Sequence, residues 1–125
     1  MYLSFVREYA DAEFTVCRID ELRQIKSAEE LDFLREACRI SDIAFEKTIP
    51  YIKAGITESR LRTILECAML EAGSEGKAFD TIVASGERSA YPHGTATEKM
   101  IEEGNLVLLT SVPLTKATIP ILREL

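Results

Sequence analysis

Ser27-Ala-Glu-Glu30 opens the longest periodic stretch of the chain and dictates where a helix must begin. In such a capping box the serine side chain accepts from the amide three residues on, and the glutamate reaches back to the serine amide. Leu31, Leu34, Cys38, Ile40, Ile43, Ala44 and Phe45 then recur at helical spacing until Pro50. The spacing predicts an amphipathic helix over 28–48, with Asp32, Arg35, Glu36, Arg39 and Lys47 on its solvated face. Gly55-Ile-Thr-Glu58 is a turn leading into a second N-cap, and Ala72-Gly73 is a C-cap signal. Between them Leu61, Ile64, Leu65, Ala68 and Met69 form one stripe, predicting a helix over 58–72. A short connection makes the two helices an antiparallel pair with their stripes in the core, Cys67 included.

The remainder has strand character. The β-branched run Phe79-Asp-Thr-Ile-Val-Ala84 predicts one strand, and Gly104-Asn-Leu-Val-Leu-Leu109 predicts a second. Residues 12–17 suggest a short strand with no partner nearby in sequence, so the first twenty residues are read as the end of a preceding domain. Beyond Leu109, Pro113 and Pro120 argue against a continuous strand, because proline lacks the ladder donor. The expected fold class is α/β (α+β), two helices on an incomplete antiparallel sheet.

Composition narrows the chemistry. The 125 residues are 46% hydrophobic and 29% charged, which fits a packed domain and not a disordered chain. Fifteen basic against 21 acidic residues leave a net charge of −6, so nucleic acid is not an expected partner. No apolar run approaches a membrane span, and the first residues do not form a signal peptide. Cys17, Cys38 and Cys67 are odd in number and widely spaced, which points to a reducing, cytoplasmic setting. With His93 the lone histidine, no metal site built mainly of imidazoles fits in the chain.

His93 lies between Pro92 and Gly94, near the end of the loop that follows the first strand. A loop histidine there either donates to a substrate carbonyl, shuttles a proton, or is structural or merely exposed. A dyad of Ser85 or Ser89 with His93 is a weak alternative, since no orienting acid accompanies it, and a Cys67–His93 pair is weaker.

Five segments in order carry a resemblance: Arg23-Gln-Ile-Lys-Ser-Ala-Glu-Glu-Leu31, Gly55-Ile-Thr-Glu58, Ala78-Phe-Asp-Thr-Ile-Val-Ala-Ser-Gly86, Arg88-Ser-Ala-Tyr-Pro-His-Gly94 and Gly104-Asn-Leu-Val107. Together they resemble the catalytic domain of the Xaa-Pro peptidases, aminopeptidase P and prolidase, of the pita-bread (creatinase/aminopeptidase-like) metallopeptidases. The resemblance implies that 1–20 end an N-terminal domain, that 21–109 form the first half of the catalytic domain, and that the lineage hydrolyses the peptide bond before proline. It implies that His93 contacts substrate near the scissile bond and helps stabilise the tetrahedral intermediate. It also implies two divalent ions, manganese or cobalt, held by two aspartates, one histidine and two glutamates.

That ligand set is not met. The first aspartate should follow Leu109 in a context like Asp-Phe-Gly-Ala, yet no carboxylate occurs from 110 to 123. No metal ligand is therefore assigned, no bound ion is expected, and a truncated, inactive fragment is expected. The alternative is a non-catalytic module that binds a protein through the helix pair. Back-translated with a one-base shift, Thr110 onward permits Asp-Phe-Gly-Ala-Ala-Tyr-Lys-Gly-Tyr-Tyr-Ser-Asp-Ile-Thr-Arg. The two fixed bases of each codon fit this reading throughout. Residues 110–125 are thus expected to be an aberrant, irregular tail from a lost frame, with Leu109 the last residue of regular structure. An incomplete sheet would also expose an edge through which the chain could self-associate.

Overall fold

The computed structural model describes residues 24–115. The expected strand at 12–17 and the tail from 116 onward lie outside the described residues. Helix α1 spans Ala28–Thr48 and begins on the predicted capping box, with both reciprocal bonds made. It ends at Thr48, as the spacing predicts, and Pro50 sits in the 3-10 turn that follows, Ile49–Tyr51. The buried residues of α1 are Ala37, Ile40, Ala44 and Thr48, a narrower stripe than predicted. Leu31 and Cys38 face solvent. Thr48 is tolerated in the core because its hydroxyl donates to the Ala44 carbonyl at 2.7 Å.

Helix α2 spans Glu58–Glu71, with Thr57 as N-cap accepting from the Arg60 amide. Gly73, at φ 109°, turns the chain out of it. Arg39 of α1 donates to the Ala72 carbonyl at the end of α2, and Lys47 pairs with Glu71 at 2.9 Å. Ile40 and Ala44 pack on Leu65, Ala68 and Met69 across this contact. Cys67, expected in the core, is exposed on the outer groove of the pair.

The strands form one interrupted antiparallel ribbon. Strand β1 (Gly76–Lys77) pairs with β4 (Pro113–Leu114), and β2 (Ile82–Ser85) pairs with β3 (Val107–Thr110). Between the two ladders, residues 78–81 face only 111–112, a bulge that carries Phe79 and Asp80 out of the ribbon. It is held by Ala78 N–H donating to the Val112 carbonyl and by a Thr81–Ser111 hydroxyl pair at 3.0 Å. Regular structure therefore continues past Leu109, contrary to expectation: Thr110 pairs with Ile82, and Val112 and Thr115 are buried. Pro113 fits because it opens a two-residue strand.

Residues 97–101 form a strap across the start of α2. The Glu58 and Ser59 amides donate to the Lys99 and Thr97 carbonyls, and Ile56 and Ile101 pair through their backbones. A second core of Leu61, Val83 and Ile101 lies beneath, and Leu109 packs against both cores. No described helix is long and apolar enough to cross a membrane. Leu61 is fully buried where α2, β2 and the strap converge. Leu61→Ala is expected to cost about 3 kcal/mol, read as a lowered urea midpoint, whereas Leu106→Ala, at a site 73% exposed, should move it by under about 0.5 kcal/mol.

Candidate functional site

The bulge and the loop after β2 enclose an open cavity of about 760 Å³. Phe79, Ile82, Pro92 and Leu108 supply apolar walls, and Asp80, Ser89, Thr95, Thr110 and His93 supply polar groups. His93 is exposed on this cavity, and among the described residues its imidazole has no hydrogen-bond partner. Asp80 is paired with Lys77 at 2.9 Å, and the hydrogen bond from that ammonium holds its carboxyl below the usual range.

The loop leaves β2 at Gly86, whose φ of 57° suits glycine and whose missing side chain makes room for Asn105. A 3-10 turn, Gly86–Ala90, follows, and the Gly94 amide closes onto the Tyr91 carbonyl. The serine dyads are not assembled. Ser85 is fully buried, its hydroxyl donating to Glu58 and accepting from Lys99. Ser89 Oγ donates to the Gly86 carbonyl instead. Cys67 lines the groove between the helices, which shares no lining residue with the His93 cavity.

The group that the sequence did not reveal is Glu58. Its position read as a favourable charge at a helix start, and nothing in the local pattern marked it as buried. It is 0% exposed. Oε1 accepts from the Ser85 amide at 2.8 Å and hydroxyl at 2.9 Å. Oε2 accepts from the Thr97 hydroxyl at 2.7 Å and amide at 3.1 Å, with Arg88 Nε at 3.3 Å. Burial pushes the carboxyl up, but the bonds from Thr97 and Ser85 together outweigh it and hold the group below its ordinary value of 4.5.

Among the described residues no three of His, Cys, Asp or Glu are grouped so as to hold a metal ion.

The profile of metallopeptidase family M24 matches residues 32–118. The chain is 43% identical over 110 residues to the uncharacterized peptidase YqhT of Bacillus subtilis, covering 86% of this chain and 31% of that protein. It is 45% identical over 91 residues to an Xaa-Pro dipeptidase of Pyrococcus furiosus, covering 73% and 26%. The solved Xaa-Pro dipeptidase from Bacillus anthracis superposes with a TM-score of 0.72 at 42% identity, covering 90% of this chain and 33% of that one. The chain spans about a third of the length of these relatives.

The depressed carboxyl of Glu58 sets a sign for acid stability. Its contribution is complete above the ordinary carboxylate value and is lost as pH falls through the lower folded value. The urea midpoint is expected to hold from pH 7 to about 5 and to fall below about 4. Glu58→Gln should flatten that fall, which a pH series on the two proteins measures.

Proposed function

The chain belongs to metallopeptidase family M24 and has part of the pita-bread fold of its Xaa-Pro peptidase relatives, and on that premise we propose that it derives from a peptidase that hydrolyses the bond before proline. The observation that carries this reading is the exposed His93, without a hydrogen-bond partner among the described residues, on a cavity with apolar walls. In this reading the imidazole contacts the substrate beside the scissile bond and donates to the oxygen that gains charge in the tetrahedral intermediate. Phe79, Ile82 and Leu108 offer walls suited to a small apolar ring such as proline. A manganese or cobalt pair, as the family resemblance implies, would need two aspartates after Leu109, where no carboxylate occurs from 110 to 123. Exposed Cys38 and Cys67 support a reducing, cytoplasmic setting.

The 125-residue polypeptide is, in the same reading, inactive by itself, and its short ribbon self-associates through open strand edges. The purified chain with manganese and an Xaa-Pro dipeptide should show no turnover, no stoichiometric metal uptake, and a sedimentation coefficient that rises with concentration. Stoichiometric manganese binding with cleavage overturns the inactive reading. Saturable binding of a protein without metal favours the helix-pair module instead.

The reading also assigns 110–125 to a lost frame. The irregular tail expected on this account is not met at 110–114, which pair with Gly76, Lys77 and Ile82; ladder bonds are made by main-chain groups, so the pairing does not depend on which side chains the frame supplies. The nucleotide sequence across codons 105–130 is expected to restore Asp-Phe-Gly-Ala on insertion of one base near codon 109, followed by an open frame. A stop within a few codons of the shifted frame removes this account.

A further inference from the structure

We propose that Glu58 is a positioning residue for His93, acting by pinning both feet of the loop that carries it. The loop runs from Ser85 to Thr97. Glu58 Oε1 serves the entering foot, taking the amide and hydroxyl of Ser85. Oε2 serves the leaving foot, taking the amide and hydroxyl of Thr97. Arg88, in the 3-10 turn, approaches Oε2 with Nε and donates from Nη2 to the Thr95 carbonyl at 2.7 Å, which ties the middle of the loop to its exit. Lys99 reinforces the entering foot through the Ser85 carbonyl and hydroxyl, at 2.9 and 3.0 Å.

The start of α2 does not require this arrangement. Its first-turn amides are already taken by Lys99 O, Thr97 O, Thr57 Oγ1 and Thr57 O. A carboxylate favours a helix N-terminus from solvent as well, without the cost of burial. Complete burial of Glu58 therefore marks a second task, and every donor it gathers belongs to the loop or its feet. The chemistry also selects glutamate over glutamine. A carboxylate is acceptor-only on both oxygens, whereas an amide would turn N–H groups toward one foot, which would have to release. Because His93 has no side-chain partner among the described residues, its orientation is inherited from the backbone that Glu58 holds.

The word positioning rests on the substrate-contacting role given to His93 above. Failure of that role would appear in the peptidase assay, while the pinning is read from the loop itself. The chain has one histidine, so ¹⁵N-histidine labelling gives a single backbone amide signal. The Met69 methyl, buried between the helices, reports the core. The full chain is compared with Glu58→Gln, Thr97→Val and Thr97→Ser. The His93 amide order parameter is expected to fall from roughly 0.85 to below about 0.6 in Glu58→Gln and Thr97→Val, with the Met69 signal kept. Thr97→Ser, which restores the hydroxyl, should match the parent chain. If Glu58→Gln also loses the Met69 signal, the two Thr97 variants decide. Unchanged His93 order in a folded Thr97→Val overturns the proposal. So does loss of the Met69 signal in that variant, since the carboxylate would then hold the whole fold and not the loop.

Discussion

The first turn of α2 is the junction on which the described structure depends. A helix start leaves donors that nothing inside the helix can satisfy. Here the strap at 97–101 satisfies two of them with its own carbonyls, so a segment without regular structure of its own is fixed by the helix's unmet need. The strap in turn brings Ile101 over Leu61 and Val83, and Thr97 to Glu58. Hydrogen bonding at one helix end thereby sets the lid of a core and the exit of the functional loop together.

Much of this was legible in the sequence, for local reasons. The capping box at Ser27, the Thr57 cap and the glycine exit at Gly73 are chemistry within three or four residues, and each lies where the pattern put it. The strands were located but shifted: β2 starts at Ile82 and not Phe79, because the bulge takes 78–81 out of register. Cys67 and Cys38 fitted an apolar stripe by period alone, yet a two-residue ribbon end and a single partner helix cover less of each helix than the stripe allows. The family resemblance singled out His93 within its loop. Glu58 stayed hidden because its partners lie 27 and 39 residues away, and no local rule reaches that far.

The ribbon separates what depends on side chains from what does not. Along 107–114 the ladder is built from backbone groups, while Val107, Leu109, Val112 and the Ser111 contacts tie it to the core by side chain. Pairing at 110–114 thus continues without the carboxylates that the family resemblance calls for.

The carboxylate beneath the loop has a consequence for engineering. Residues 86–96 enter and leave through two adjacent anchors that share one buried acceptor, so the span between them is a cassette with a fixed socket. A loop exchanged there keeps its socket when Ser85, Arg88, Thr97 and Glu58 travel as a set.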